Sequence, residues 1–215
     1  MPDTQTQQRV YHRDEIIADG IVHGAAIVAA LSGGIFLLTR DLHSGTAKIS
    51  ALVVYLLALL AMLGFSAAYN MTPVSPTKWF LRRFDHSAIY VMIAGTYTPL
   101  LLQLMDAALA GILAIIVWAG ALAGVALKVL LPGRYDGLAV IAYLALGWVG
   151  IFTASSFFAV LPKITMLLIV VGGLLYSAGV PFYLWERLKF QNVIWHAFVA
   201  AAAATHFVAI AALYL

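Results

Sequence analysis

Residues 49–69 read ISALVVYLLALLAMLGFSAAY and contain no charged side chain. An α-helix needs about 20 predominantly apolar residues to cross the hydrocarbon core of a bilayer, so this stretch predicts a membrane span. Six further stretches of similar length and composition qualify in the same way. Together they predict seven spans, at residues 20–39, 49–69, 84–105, 107–131, 138–160, 164–185 and 193–215.

The composition of the whole chain is also that of a membrane protein. Of its 215 residues, 64% are hydrophobic and 10% are charged, whereas an ordinary soluble domain is about half apolar and about a quarter charged. A globule of this size cannot bury so much apolar surface, which excludes a soluble enzyme and a disordered chain. The cations are scattered between apolar runs, so the pI near 9.2 does not indicate nucleic-acid binding. The absence of cysteine excludes disulfides and thiolate ligands.

We therefore predict an all-α polytopic membrane protein of the cell membrane, with a seven-helix transmembrane domain at residues 20–215. Helices satisfy their own backbone hydrogen bonds in lipid, and the period-two alternation of a β-barrel is absent.

The orientation of the bundle follows from the cations of the short loops, because Lys and Arg concentrate on the cytoplasmic side. Alternating loops place nine cations on the side of the N-terminus and three on the other side. The nine are Arg9, Arg13, Lys78, Arg82, Arg83, Lys128, Arg134, Arg187 and Lys189, and the three are Arg40, Lys48 and Lys163. This asymmetry predicts that residues 1–19 form a cytoplasmic N-terminal segment.

Polar side chains inside the predicted spans cluster near the cytoplasmic ends. Ionisable groups within a span are costly and are candidates for function. Four spans bring polar groups to one depth. The ionisable ones are His23, Asp85, His86 and His196, and the others, within or next to the spans, are Ser66, Asn70 and Asn192. Because Ser66 and Asn70 are four residues apart, as are Asn192 and His196, each pair lies on one helix face. The pattern predicts a polar cavity that could bind a hard or borderline cation with water, or activate a water for hydrolysis.

Structural roles are an alternative for several of these residues. Asp85 follows two arginines and could be a helix N-cap. Asn70 could be a C-cap, and His23 and His86 could be solvated at the interface. The agreement of four spans in depth and side favours a shared cavity.

Several stretches of the chain resemble the hemolysin III branch of the progestin and adiponectin receptor family. They are EIIADGIVHG at 15–24, FSAAYN at 65–70, RRFDHSAIYVMIAGTYTP at 82–99 and NVIWHAFVAAAAATHF at 192–207. The resemblance implies a seven-helix bundle with a cytoplasmic N-terminus. Its fold would be similar to that of the adiponectin receptors and, more distantly, of the alkaline ceramidases.

The resemblance also implies a zinc ion near the cytoplasmic side. Three histidines would hold it, one on the second span and two on the seventh, and an aspartate opening the third span would reach it through water. Asp85, Ser66 and His196 match this pattern, but Asn70 and Asn192 stand at the two other histidine positions. Amide oxygens bind zinc far more weakly than imidazole does. We therefore expect no tightly bound cofactor, with zinc at His196, Asp85, Asn70 and Asn192 as the alternative.

Two classes of function are compatible with these observations. The first is a protein of membrane or lipid homeostasis, or a receptor-like sensor, with membrane lipids and a small lipid ligand as partners. The second is a zinc-dependent lipid amide hydrolase like the ceramidases, in which Asp85 and Ser66 are catalytic and Asp85 is the general base. The missing imidazoles favour the first and leave enzymatic activity open. A pore-forming hemolysin ranks lowest, because a small seven-helix bundle has no obvious soluble state from which to insert.

Overall fold

The computed structural model describes residues 11–40 and 45–215. These two stretches form eight α-helices and one short 3-10 helix, and they contain no β-strand. The α-helices are α1 (Arg13–Arg40), α2 (Thr46–Met71), α3 (Pro76–Leu101), α4 (Ala107–Leu130), α5 (Asp136–Gly147), α6 (Ala154–Val160), α7 (Lys163–Leu184) and α8 (Gln191–Ala211). The prediction of an all-α fold is confirmed. Arg9 and the rest of residues 1–10 lie outside the described residues.

Six helical segments of the described chain are long and apolar enough to cross a membrane. They are Arg13–Arg40, Thr46–Met71, Ala107–Leu130, Asp136–Val160, Lys163–Leu184 and Gln191–Ala211. The third predicted span lies in α3, whose first half carries Lys78, Arg82, Arg83 and Asp85, and α3 is not among the six. Six apolar helices are thus found, while the seventh span and the orientation remain predictions.

The helices pack in a ring around a shared interior. α1 lies against α2 and α8, α2 against α3, α3 against α4, and α7 against α8. The shorter α5 contacts α3, α4 and α7. Because α1 packs on both α2 and α8, side chains from the first, second and last helices meet at one place.

Two helices begin earlier than the predicted spans. α1 begins at Arg13 rather than at residue 20. α3 begins at Pro76, where the Ser75 hydroxyl caps the helix by accepting from the Lys78 N–H at 3.2 Å. Polar residues extend both helices beyond the apolar stretches from which the spans were predicted. Asp85 therefore lies in the interior of α3, and its assignment as an N-cap is wrong.

The fifth apolar segment is interrupted rather than continuous. α5 ends at Gly147, the chain passes through a 3-10 helix at Val149–Thr153, and α6 then begins. The Tyr97 hydroxyl of α3 donates to the Gly147 carbonyl at 2.8 Å and accepts from the Gly150 N–H at 2.9 Å. Glycine has a low helix propensity, and this hydroxyl supplies backbone partners at the break. The prediction of one unbroken span at residues 138–160 therefore needs this correction.

Gly124 of α4 allows Tyr90 of α3 to approach the helix closely. A Cβ atom at Gly124 would lie 2.4 Å from the Tyr90 ring, and that ring is 1% exposed with its hydroxyl donating to the Ala139 carbonyl at 3.0 Å. We expect Gly124→Ala to lower the free energy of unfolding by about 1–3 kcal/mol, because overpacking forces the ring to move.

Gly111→Ala is the matched control for this prediction, since it lies on the same helix and its added methyl would meet open space. Thermal denaturation in detergent should show a lower midpoint for Gly124→Ala only. Equal midpoints for the two variants would contradict the close packing of Tyr90 on Gly124.

Candidate functional site

A cluster of polar side chains lies where α1, α2 and α8 meet. We call it the polar cluster, and it comprises Asp19 and His23 of α1, Ser66 and Asn70 of α2, and Asn192 and His196 of α8. Each helix contributes two residues spaced four apart, which places both on one face. Asp19, His23 and His196 are buried, with 4%, 4% and 7% of their surface exposed.

His196 connects the three helices of the polar cluster. Its Nδ1 lies 2.6 Å from Asp19 Oδ1, and its Nε2 lies 3.5 Å from Ser66 Oγ. The His23 ring lies beside the His196 ring, with centroids 4.5 Å apart. His23 Nε2 is 3.7 Å from Asp19 Oδ2. The Asp19 carboxylate therefore lies next to both imidazoles.

The two amides of the polar cluster bond to each other. Asn192 Nδ2 donates to Asn70 Oδ1 at 3.1 Å. Asn70 Nδ2 donates to the Ser66 carbonyl at 2.9 Å and to Ser66 Oγ at 3.4 Å. These bonds hold the Asn70 amide with its NH₂ group towards Ser66. The assignment of Asn70 as a C-cap is wrong, since Thr72 occupies that position of α2.

Asp85 and His86 lie on α3, away from direct contact with the polar cluster. Asp85 Oδ2 is 3.9 Å from His86 Nε2, and both side chains are mostly buried. The described residues show no hydrogen bond from either side chain to the polar cluster. The two residues do line the same cavity as the cluster. The structure thus places all seven predicted residues around one cavity and brings five of them into the cluster itself.

Asp19 is the residue of the polar cluster that the sequence analysis missed. It was assigned to the cytoplasmic segment before the first span, whereas α1 begins at Arg13 and carries Asp19 into the bundle. The available signal was its position four residues before His23. One turn before Asp19, the buried Glu15 side chain accepts a hydrogen bond from the Phe190 backbone N–H at 2.7 Å. This bond also joins α1 to the start of α8.

A cavity of about 1410 Å³ adjoins the polar cluster and extends between α3, α5, α6, α7 and α8. It is larger than the ~300–1,000 Å³ of most small-ligand pockets. Ser66, Asn70, His23 and His196 line one part of its wall. Long apolar stretches of the wall are formed by Met62, Ile89, Val140, Leu144, Phe157 and Ile169. Charged side chains, among them Lys78, Arg82, Asp85 and Asp136, also line it. The cavity therefore joins a polar and charged region to a long apolar surface.

Comparison with known proteins identifies the family of this chain. A family model described as "Haemolysin-III related" matches residues 12–207. The chain belongs to this family. The predicted resemblance is confirmed, and together with the six apolar helices it identifies an integral membrane protein.

Individual relatives in the family align over most of the chain. A "Hemolysin-3 homolog" of Bacillus subtilis (strain 168) is 35% identical over 90% of this chain and 91% of its own length. The "Hemolysin-3" of Bacillus cereus is 32% identical over 96% and 94%. The human "Monocyte to macrophage differentiation factor" is 30% identical over 91% and 83%.

The zinc ion that the family resemblance implies does not fit the residues at the matched positions. The amides of Asn70 and Asn192 bond to each other, and His196 supplies the one imidazole among them. A stable zinc site takes about four ligands, mostly imidazole or thiolate. Asp85 would act through water in this scheme, so it does not replace a missing nitrogen.

A different group of residues can hold a metal ion. Asp19, His23 and His196 each offer one ligand atom, and these atoms lie within 4.8 Å of one another. His23 Nε2 is buried and has no hydrogen-bond partner among the described residues. Three protein ligands with water in the fourth position would complete a tetrahedral site, but in this structure Asp19 bonds to His196. The same Asp–His pair can alternatively orient an imidazole for proton transfer.

Proposed function

We propose that this protein binds an amphiphilic lipid inside its helix bundle and acts in membrane or lipid homeostasis, as a receptor-like sensor of that lipid. The observation that carries this proposal is the cavity of about 1410 Å³ with a polar region at one part of a mostly apolar wall. A hydrocarbon chain would lie along the apolar wall, where it is removed from water. The polar part of the same molecule would lie at the polar cluster.

The unsatisfied nitrogen of His23 supports a polar ligand at this position. Burying a polar group without a hydrogen bond costs about 1–3 kcal/mol, and His23 Nε2 is buried in this state among the described residues. The His23 ring lines the cavity, so a rotation of the ring would bring this buried nitrogen to a hydroxyl or carbonyl of the ligand. Ligand binding would then be more favourable by the free energy that the unpaired nitrogen costs the ligand-free protein.

Binding can be measured through tryptophan fluorescence, since Trp148 lines the cavity. We expect a fatty acid with a brominated chain to quench the purified protein saturably in detergent. Unbrominated fatty acid should reverse this quenching. Trp148→Phe should remove part of the saturable quenching, and Trp79 and Trp195, which also line the cavity, should account for the rest. The control is Trp118→Phe, which affects an indole that donates to Thr98 instead. Quenching that rises linearly and equally in both variants would contradict a binding site.

We further propose that α3 is the third of seven spans and that the N-terminus is cytoplasmic. The charged first half of α3 would then lie at the cytoplasmic surface, where Lys and Arg are preferred. The apolar second half, residues 87–101, would continue into the membrane.

This topology makes a direct prediction, because seven spans place Leu215 on the opposite side of the membrane from the N-terminus. Alkaline phosphatase fused after Leu215 should be active, and green fluorescent protein at the same position should be dark when exported in unfolded form. The reverse pattern would contradict either the number of spans or their orientation.

A further inference from the structure

We propose that Ser66, His196 and Asp19 form a nucleophile, base and carboxylate triad that hydrolyses a long-chain acyl ester bound in the cavity. This inference rests on the proposed function, because the ester would occupy the lipid cavity described above. Unlike the zinc-dependent scheme, it requires no metal, and it uses Asp19 in place of Asp85.

The geometry of the three side chains carries the proposal. Asp19 Oδ1 lies 2.6 Å from His196 Nδ1, and Ser66 Oγ lies 3.5 Å from His196 Nε2. The carboxylate and the hydroxyl thus take the two different nitrogens of one imidazole, which is the order that activates a serine. The serine contact is longer than the ~2.6–3.2 Å of a tight hydrogen bond, and such contacts commonly shorten when substrate binds.

The placement of the triad relative to the cavity points to catalysis rather than to a cross-link between helices. Asp19 and His196 are buried, which protects their hydrogen bond from water. Ser66 and the His196 ring both line the cavity, whereas Asp19 lies behind them. A buried carboxylate and imidazole would be sufficient to join α1 to α8. A hydroxyl on the second nitrogen, facing a lipid-sized cavity, is not required for that purpose.

The amides at the two positions where the family resemblance implies histidine complete the arrangement. Asn70 Nδ2 is 3.4 Å from Ser66 Oγ, and Asn192 holds the amide in this orientation by donating to Asn70 Oδ1. One Asn70 N–H bonds to the Ser66 carbonyl; the other would turn from Ser66 Oγ to the oxyanion that forms when Oγ attacks a carbonyl. Asn70 would therefore supply by hydrogen bonding the stabilisation that a metal would otherwise supply as a Lewis acid.

The reaction balances with water as the co-reactant. Ser66 Oγ forms a bond to the acyl carbon, and its proton passes to His196 Nε2. The bond between the acyl carbon and the alcohol oxygen breaks, and the leaving alcohol takes this proton. Water then attacks the acyl-serine, its proton passes through His196 back to Ser66 Oγ, and the fatty acid leaves. Asp19 positions the imidazole and stabilises its charged form.

A long-chain alkyl fluorophosphonate tests the nucleophile in the purified full-length protein. We expect Ser66 Oγ to displace fluoride and bond to phosphorus, which peptide mass spectrometry would detect at Ser66. Ser66→Ala should abolish labelling. The matched control is Ser87→Ala, since Ser87 is a buried serine of α3 outside the residues described as lining the cavity, and it should leave labelling unchanged. No labelling of the unmodified protein, or labelling that survives Ser66→Ala, would overturn the proposal.

Variants of the other two residues test the roles of base and positioning residue. Asp19→Asn should slow labelling by about 10²-fold or more, and Asp19→Glu should recover part of that loss. A merely structural role for Asp19 would lower the melting midpoint without this difference in labelling rate. His196→Gln should label no faster than Asp19→Asn. Melting midpoints and size-exclusion profiles identify variants that fail to fold.

Two further measurements separate this proposal from its alternatives. Labelling should be unchanged after dialysis against a strong chelator, and loss of labelling would overturn the metal-free triad. Quenching by the brominated fatty acid tests the binding site independently. Saturable quenching without labelling would contradict the triad alone, while the absence of both would contradict the lipid site as well.

Discussion

The double variant Asn70→His, Asn192→His is expected to bind about one equivalent of zinc, at an affinity at least about 10³-fold higher than that of the unmodified chain. The two substitutions would add two imidazoles beside His196 and remove the amide pair that occupies this space. Loss of an outer-shell partner alone costs about 10–100-fold in metal affinity, and here two direct ligands are gained. The measurement is zinc content after dialysis against a moderate chelator, followed by competition with a fluorescent chelator.

The double variant Asn70→Ala, Asn192→Ala is the control, because it removes the amides without adding ligands. It should bind zinc as weakly as the unmodified chain. If the unmodified chain instead retains about one equivalent, its ligands are Asp19, His23 and His196. His23→Ala would then release the metal.

Asp136→Ala is expected to lower the free energy of unfolding by about 2–3 kcal/mol, because it leaves the buried Lys128 charge without its partner, while the 34% exposure of the Asp136 side chain weakens the pair through solvent screening. Asp136 lies at the start of α5 and accepts from Arg82 of α3 at 2.7 Å and from Lys128 of α4. Lys128 is only 3% exposed. One carboxylate therefore holds three helices together beside the cavity.

The matched control for Asp136→Ala is Asp14→Ala. It breaks the exposed pair of Asp14 with Lys189, whose atoms are 3.2 Å apart, and exposed pairs contribute little to stability. Thermal and denaturant unfolding in detergent should show a large loss for Asp136→Ala and little change for Asp14→Ala. Similar losses in the two variants would contradict the role assigned to the buried lysine.

Hydropathy was sufficient to predict most of the helices but not where they begin or end. Residues 49–69 carry no charge and residues 107–131 carry only Lys128 near their end, and α2 and α4 occupy these stretches closely. α1 and α3 begin in polar sequence, because a helix can continue beyond the hydrocarbon core with charged residues in contact with water or with one another. The break at Gly147 depends on Tyr97, which lies 50 positions away in the chain, and no local pattern reports it.

The sequence predicted a common membrane depth for the polar side chains, but it did not predict which of them contact one another. Spacing of four residues predicted shared faces for Ser66 with Asn70 and for Asn192 with His196; in the structure Asn70 donates to Ser66, and Asn192 donates to Asn70. The spacing could not determine how each helix is rotated about its axis, so Asp85 was predicted to share one assembly with these residues. The structure turns α1 towards α8 instead and brings Asp19 to His196. This rotation depends on packing between helices that are far apart in sequence.

The hydrogen bonds of the Tyr97 hydroxyl predict which positions of this chain can vary among its relatives. It satisfies one carbonyl and one N–H at the break between α5 and α6, and backbone groups left unpaired in lipid are costly. The side chain of Phe152 faces outwards there, 86% exposed, so many apolar residues are acceptable at that position. A phenylalanine at position 97 would fill the same volume and still leave both backbone groups unpaired. We therefore expect Tyr97 of α3, rather than the residues at the break itself, to be the position that varies least among relatives.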